Sequence, residues 1–232
     1  MEKPIVVANW KMNPQKEEEA IRIAKFSDRE GVVICPPFVF LSTVKKEVKN
    51  ADVGAQNCFF EKQGAFTGET SPVMLKNYSC KYVIIGHSER RELLYEKEDD
   101  IKKKIKILLD EKITPIFCVG EDEKSEESLR NQLKVLEDTS LKKIIIAYEP
   151  QFAIGTGKSC DIEEAEKKKV FIKSILAKSH EGGEKTIVLY GGSVDSKNAL
   201  SYIEEAGFDG LLVGGASLKE KEFGRLLKNI SL

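Results

Sequence analysis

Several polar side chains stand directly behind short apolar runs of the sequence, where buried strands would end. Glu149 follows the apolar run 144–148. In a semi-apolar pocket, desolvation would raise the pKa of this carboxylate and make it a useful general base. The alternative interpretation is a solvated carboxylate at the start of a loop.

His87 stands behind another apolar run, 82–85, and is followed by Ser88, a residue type that caps helices. The partial positive charge of a helix N-terminus opposes protonation of a nearby imidazole. A neutral imidazole can donate a hydrogen bond to an oxyanion without bringing a full charge. A histidine that only caps the helix is the alternative. The other histidine, His180, lies in a polar stretch and is expected at the surface.

Asn9 and Lys11 follow the first apolar run, 5–8. The amide of Asn9 must find hydrogen-bond partners behind a buried run, which points to a polar site there. Lys11 could add positive charge to such a site, although a lysine without further context is usually solvated.

Two glycine pairs, 191–192 and 214–215, follow the last two apolar runs. Glycine lets backbone N–H groups approach an anion closely, and eight-stranded α/β barrels often bind phosphate after their last two strands. The segment 150–158 combines a proline, three apolar residues and two glycines. That composition is typical of a lid that closes over a small ligand and excludes water.

Eight short, nearly continuous apolar runs predict strands that are buried on both faces. They recur about every 29 residues, and the stretches 101–109 and 161–178 between them place apolar residues at helical spacing. We therefore predict an α/β fold, an eight-stranded parallel (β/α)8 barrel, as a single domain over residues 1–232. An open sheet is the alternative, but even spacing favours closure. The runs are 5–8, 32–35, 52–55, 82–85, 116–119, 144–147, 186–189 and 210–213.

The composition argues against several classes of protein. Hydrophobic residues make up 41% of the 232 residues, enough for a sizeable core, and 37 basic against 38 acidic residues argue against nucleic-acid binding. The longest uncharged apolar stretch, 32–41, is too short to span a membrane, and the N-terminus has no signal-peptide pattern. Five widely spaced cysteines without a C-x-x-C pair predict reduced thiols in a cytoplasmic protein, with no disulfide and no metal site.

The segments around these residues resemble the triosephosphate isomerase family from end to end of the chain. The similar motifs are Ala-Asn-Trp-Lys-Met-Asn at 8–13, Gly-His-Ser-Glu-Arg-Arg at 86–91, Ala-Tyr-Glu-Pro at 147–150, Ala-Ile-Gly-Thr-Gly-Lys at 153–158, and the glycine turns at 190–193 and 213–218. The resemblance implies interconversion of dihydroxyacetone phosphate and D-glyceraldehyde 3-phosphate, in glycolysis and gluconeogenesis. It also implies a TIM barrel that works without a cofactor or metal.

The resemblance implies roles for five residues near the reacting carbons. Glu149 would be the base that moves a proton between two carbons. His87 would be the neutral electrophile that polarises the carbonyl and shuttles a proton between oxygens. Lys11 would supply positive charge for substrate and enediolate. Asn9 would position the oxygen end of the substrate, and Glu89 would support the site from behind, near Lys11.

The same resemblance implies that four further residues bind the substrate phosphate through backbone N–H groups: Gly155, Ser193, Gly214 and Gly215. One departure from the family is visible. The family commonly has Val-Trp after the Glu-Pro pair, whereas this chain has Gln-Phe at 151–152. This difference bears on the rates of lid motion and not on the chemistry.

A long loop, 57–69, carries three phenylalanines. Long loops in compact domains are usually functional, and protruding aromatic rings need a surface to bury against. The rings could pack on their own barrel. In the resembling family this loop inserts into a second subunit, with Thr67 at its tip, so we predict a homodimer.

Two other interpretations compete with this one. Another phosphate-binding barrel, such as a sugar-phosphate isomerase of amino-acid biosynthesis, would share the glycine turns. An inactive barrel could serve as a binding or structural module. Neither requires Asn9, Lys11, His87 and Glu149 together, and the chain has all four.

Overall fold

A computed structural model of the chain describes residues 3–121, 126–137, 139–153 and 159–232. Within them, eight parallel strands pair in sequence order and the eighth closes on the first, which confirms the predicted (β/α)8 barrel. The strands are β1 (Ile5–Asn9), β2 (Val32–Cys35), β3 (Asp52–Ala55), β4 (Tyr82–Ile85), β5 (Thr114–Val119), β6 (Ile145–Tyr148), β7 (Ile187–Tyr190) and β8 (Gly210–Val213).

In the described part of the chain, at least one α-helix follows every strand, as crossover connections between parallel strands require. The helices are α1 (Glu17–Ser27), α2 (Leu41–Glu47), α3 (Pro72–Asn77), α4 (Ser88–Leu93), α5 (Glu98–Asp110), α6 (Glu126–Leu133), α7 (Ile162–Ser179), α8 (Ala199–Glu204) and α9 (Glu220–Asn229). Short 3-10 turns lie at Phe38–Phe40, Lys134–Leu136, Leu141–Lys143, Gln151–Ala153, Gly183–Lys185 and Gly215–Leu218.

The two stretches with helical spacing form α5 and α7, as predicted. α5 buries Ile101 and Leu108 against the core, and α7 buries Ile172 and Leu176. The predicted apolar face of the stretch 161–178 includes Val170, but Val170 is 55% exposed, so the prediction is wrong for this residue. The reason is angular, because residue 170 lies away from the row of positions spaced three and four apart that faces the barrel.

Two of the predicted strands begin one residue late. β6 and β7 start at Ile145 and Ile187, because Ile144 and Thr186 instead cap the C-terminal ends of the 3-10 turns that precede these strands. Both strands end on a tyrosine, and Tyr148 pairs with the tyrosine that ends β7. Because β6 ends at Tyr148, residue 149 lies directly behind the end of this strand.

Side chains alternate between the inside of the barrel and the layer beneath the helices. Val7 packs inside the barrel, whereas Ala8 packs in the outer layer. The period of two continues to Asn9, two residues after Val7, and to Glu149, two residues after the interior residue Ala147. The strand period therefore aims these two polar side chains toward the barrel axis.

Two global properties of the described residues bear on function. The five cysteines are all buried, and their thiols are free. Among the described helices, none combines the length and apolar character that crossing a membrane requires.

Candidate active site

One cavity of about 910 Å³ lies where the strands end, and residues that are distant in sequence meet in its wall. Asn9, Lys11, His87, Glu149 and Ser193 all line it, together with the two predicted glycine turns. They come from the ends of four strands, β1, β4, β6 and β7, so the barrel brings them together. This is the carboxyl end of the barrel, where the sites of such folds are found.

Glu149 and His87 are in direct contact in this cavity. Oε1 of Glu149 lies 3.0 Å from Nε2 of His87, and the N–H of Ser88 donates a hydrogen bond to Oε2 of Glu149 at 3.2 Å. Only 2% of Glu149 and 5% of His87 are exposed. The carboxylate therefore has two protein donors and little access to water.

The start of α4 determines the tautomer of His87. Its Nδ1 accepts a hydrogen bond from the N–H of Glu89 at 3.2 Å, so His87 is the N-cap of the helix. A nitrogen that accepts a hydrogen bond carries no proton, which assigns the proton of the neutral ring to Nε2, facing Glu149. The capping role and the donor role, which were alternatives in sequence, are compatible in one side chain.

Opposing effects act on the pKa values of this pair. Burial lowers the pKa of His87, but the carboxylates of Glu149 and Glu89 raise it, and the net shift is upward. Burial raises the pKa of Glu149, but the contact with His87 and the N–H of Ser88 lower it, and the net shift is downward. Their contact therefore keeps Glu149 ionised. If Glu149 and His87 were separated, the effect of burial would remain, and it raises the pKa of Glu149 and lowers that of His87.

Lys11 is held beside the cavity in a left-handed backbone conformation, with a φ of 53°. Its N–H donates a hydrogen bond to Oδ1 of Asn9 at 3.0 Å. Its Nζ lies 2.5 Å from Oε1 of Glu89 in a partly buried ion pair. The structure thus places Glu89 beside Lys11, where the resemblance puts it.

The glycine turns let the backbone come close to these side chains. A Cβ at Gly191 would lie 2.9 Å from Cγ of Glu149, and a Cβ at Gly214 would lie 3.4 Å from Cε of Lys11. A Cβ at Gly215 would meet nothing within 4 Å, so this residue borders open space. Position 191 thus needs glycine to make room for the carboxylate, and the 214–215 turn leaves its backbone open to a ligand.

The predicted lid is described only at its two ends. Gln151–Ala153 form one 3-10 turn, and residues 154–158, which include the predicted phosphate-binding Gly155, lie outside the described residues. At the far end, the N–H of Cys160 donates a hydrogen bond to the hydroxyl of Tyr190 at 3.1 Å. That bond ties the chain beyond the lid to the end of β7.

Gln56 supports the site, and the sequence analysis missed it. Its Nε2 donates hydrogen bonds to the carbonyls of Lys11 at 2.8 Å and Cys35 at 2.9 Å. These bonds join the ends of β1 and β2 and hold the strained turn at Lys11. The signal was available, because Gln56 directly follows the apolar run 52–55.

Glu121 is a second missed residue, and it is fully buried behind β5. Its Oε1 accepts a hydrogen bond from the hydroxyl of Tyr148 at 2.9 Å and lies 3.6 Å from Nζ of Lys168. Its carbonyl accepts from the N–H of Gln151 at 3.1 Å. Tyr148 and Gln151 flank Glu149 in sequence, so Glu121 holds a side chain before that carboxylate and the backbone after it.

Comparison with known proteins shows which family the chain is similar to. A sequence model of the family described as triosephosphate isomerase matches residues 4–230. The triosephosphate isomerase of Dictyoglomus thermophilum (strain ATCC 35947 / DSM 3960 / H-6-12) is 41% identical over 249 residues, which cover 99% of this chain and 100% of that relative. Both matches run through every segment that lines the cavity.

Replacing His87 with leucine should raise the pKa of Glu149, because the contact that lowers it is lost while burial remains. The carboxyl group would then stay protonated to a higher pH. Carbon-13 NMR titration of the labelled Glu149 carboxyl measures this. The matched control is His180→Leu, which changes the other histidine. An unchanged or lower pKa in His87→Leu would contradict the electrostatic account of the pair.

Proposed function

Because the chain belongs to the triosephosphate isomerase family, we propose that Glu149 and His87 carry out the proton transfers of that family's reaction. The enzyme interconverts dihydroxyacetone phosphate and D-glyceraldehyde 3-phosphate. The observation that carries the proposal is the contact of 3.0 Å between Glu149 and His87 in a cavity that the glycine turns also line. The family match decides against a sugar-phosphate isomerase of another family.

The phosphate of the substrate binds at the glycine turns. Backbone N–H groups of Ser193, Gly214 and Gly215, with Gly155 from the lid, donate hydrogen bonds to its oxygens. Lys11 passes beside Gly214 and adds positive charge at the same wall. The carbon chain of the substrate then reaches from this wall toward the buried pair.

Glu149 removes a proton from the carbon next to the carbonyl. To reach that carbon, its carboxylate leaves His87 and the N–H of Ser88. Because the donors that lowered its pKa are then lost and burial remains, the carboxylate becomes a stronger base as it meets the substrate. The C–H electron pair forms the carbon–carbon double bond, the carbonyl pair moves to oxygen, and an enediolate results.

His87 serves as the neutral electrophile. Its Nε2–H donates a hydrogen bond to the carbonyl oxygen and passes the proton to the enediolate oxygen, while the second oxygen returns a proton to the ring. Glu149 then gives its proton to the neighbouring carbon, which completes the isomerisation with no net change in protons. Once the Glu149 carboxylate has turned away, burial keeps the His87 ring neutral between these steps. The N–H of Glu89, which donates to Nδ1, has the same effect.

Lys11 and Asn9 stabilise the negative charge that develops on the substrate oxygens. Preorganised donors of this kind typically contribute about 10²–10³-fold each to the rate. Glu89 acts through Lys11, because its ion pair aims the ammonium group, and the bond from Lys11 N–H to Asn9 orients the amide. Closure of the lid over the phosphate excludes water and protects the enediolate from loss of phosphate.

The state of its thiols supports a cytoplasmic location for the enzyme. Five buried free cysteines suit a reducing compartment, where glycolysis and gluconeogenesis take place.

The active form is a homodimer joined through the loop 57–69. Within this loop, Phe59 stacks on Phe60 with ring centroids 4.2 Å apart, and Phe66 lies 4.6 Å from Phe59. The ring of Phe66 is tilted by 46° against that of Phe59, and Phe66 remains 43% exposed. The exposed ring surface of this loop supports docking on a second subunit.

A second apolar feature suits the same interface. At the end of α4, Leu93, Leu94 and Tyr95 are 71%, 60% and 80% exposed. Adjacent exposed apolar side chains of this size mark contact surfaces. They lie at the C-terminal end of the short helix that His87 caps, so a partner at this surface would lie close to the catalytic residues.

Shortening the base should slow turnover and leave affinity nearly unchanged. In Glu149→Asp, we expect kcat to fall by about 100-fold or more, as displacement of a catalytic group by about 1 Å does, with KM changed little. A coupled assay with glyceraldehyde 3-phosphate and glycerol-phosphate dehydrogenase measures both. Glu222→Asp, which alters a carboxylate on the rim of the same cavity, is the control and should keep its kcat. Equal kcat values for wild type and Glu149→Asp would overturn the assignment of the base.

Removing the charge of Lys11 should weaken anion binding. We expect Lys11→Ala to reduce affinity for 2-phosphoglycolate by about 10- to 100-fold, the range of a charge-assisted hydrogen bond. Calorimetry measures the dissociation constant, and circular dichroism checks the fold. Lys219→Ala removes the same charge from the rim and should have the smaller effect. An unchanged affinity in Lys11→Ala would reject the role.

The dimer is tested by light scattering after size exclusion at micromolar concentration. We expect a particle of two 26.0 kDa chains. Leu94→Asp should shift it toward monomer, because the exposed apolar surface acquires a charge. Val170→Asp, at an exposed apolar position on α7, is the control and should stay dimeric. A monomeric wild type would contradict the proposal.

A further inference from the structure

A second cavity, of about 750 Å³, lies at the opposite end of the barrel from the candidate active site. The first residues of five strands line it: Ile5, Tyr82, Thr114, Ile145 and Ile187. The amino ends of all strands in a parallel barrel face the same way, so this cavity is the lower mouth of the barrel. Its volume lies within the usual range of small-molecule sites, about 300–1,000 Å³.

The floor of the lower mouth is apolar and incompletely covered. Ile5, Tyr82 and Ile187 pack against the interior core of the barrel, yet each keeps part of its surface exposed. The buried Ile145 continues the same surface. An apolar ligand body would find a ready contact surface here without moving the barrel.

The rim of the lower mouth is cationic. Lys142, Lys143 and Lys185 line it, and none of the three forms an ion pair with another described residue. Glu181 is the single described carboxylate in the lining. Lys142 and Lys143 belong to the 3-10 turn Leu141–Lys143 before β6, and Lys185 ends the corresponding turn before β7. These two turns therefore place the three lysines at the rim of the lower mouth.

A buried hydroxyl in the wall also lacks a partner. Thr186 lines the lower mouth and is 5% exposed, and its Oγ1 has no hydrogen-bond partner in the described part of the chain. Buried polar atoms are nearly always satisfied. The oxygen itself is inaccessible to solvent, so it lies within the wall behind the surface of the cavity.

We propose that the lower mouth binds a small amphipathic anion, a molecule with an apolar body and one carboxylate, sulfonate or phosphate group. The body packs on the isoleucine floor, and the anionic group pairs with the lysines at the rim. Three cations against one carboxylate disfavour a cationic ligand. The site is at the other end of the barrel from the catalytic residues, so the inference does not depend on the proposed function.

The probe for this site is 8-anilinonaphthalene-1-sulfonate, which joins an apolar body to one sulfonate. Fluorescence titration and calorimetry are carried out on the full chain in saturating 2-phosphoglycolate, which occupies the active site. We expect a saturable site that 2-phosphoglycolate does not displace. The neutral analogue N-phenyl-1-naphthylamine, which lacks the sulfonate, should bind more weakly.

The triple variant Lys142→Gln, Lys143→Gln, Lys185→Gln should raise the dissociation constant of the sulfonate probe about tenfold, as expected for the loss of three exposed ion pairs. Affinity for the neutral analogue should stay the same. Isomerase activity of the triple variant should be unchanged, which shows that the barrel is intact.

The matched control removes the same charge elsewhere. Lys46, Lys102 and Lys106 are exposed residues of α2 and α5 outside this lining, and their replacement by glutamine should leave probe affinity unchanged. Equal affinity in the rim variant and wild type would overturn the proposal, as would an equal effect in the control. Displacement by 2-phosphoglycolate, or a neutral analogue that binds as tightly as the sulfonate, would overturn it too.

Discussion

The site depends on one constraint: the carboxylate of Glu149 must remain ionised although it is almost inaccessible to water. Glu149 meets it through Nε2 of His87 and the N–H of Ser88, two donors at the start of α4. Much of the nearby chain serves this contact. A Cβ at Gly120 would lie 1.8 Å from the carbonyl oxygen of Glu149, and one at Gly191 would lie 2.9 Å from its Cγ. A glycine therefore directly follows each of the neighbouring strands, β5 and β7, and makes room for Glu149.

The same contact explains how a resting carboxylate becomes a base when substrate arrives. Burial alone would raise the pKa of Glu149 and lower that of His87, and their contact reverses both shifts. When the Glu149 carboxylate moves to the substrate, this contact is lost and burial again dominates both pKa values. Glu149 then becomes more basic at the same time as the His87 imidazole becomes neutral. Glu121 holds the side chain of Tyr148 and the backbone of Gln151, on either side of Glu149, so the side chain of Glu149 is the part that moves.

Sequence reasoning predicted the barrel well, because a strand that is buried on both faces leaves an apolar run that is easy to recognise. It also predicted the polar residues behind those runs, because the barrel brings all carboxyl ends to one edge. It missed Gln56 and Glu121, although both stand behind predicted strands, since neither has an obvious chemical role of its own. Their function is to satisfy backbone and side-chain groups of other residues, and such partners appear only once the chain is folded. The tautomer of His87 and the exposure of Val170 depend in the same way on contacts and angles that spacing does not encode.

Proton transfer by Glu149 is tested most directly by NMR of dihydroxyacetone phosphate in D2O with wild type and Glu149→Gln. The amide keeps the shape of the side chain but cannot accept the proton from carbon. Wild type should exchange the hydrogen at the carbon beside the carbonyl for deuterium. In the variant, which should still bind 2-phosphoglycolate, exchange should slow by about 10²–10⁴-fold, the usual contribution of a general base. Exchange at the wild-type rate in Glu149→Gln would contradict the account.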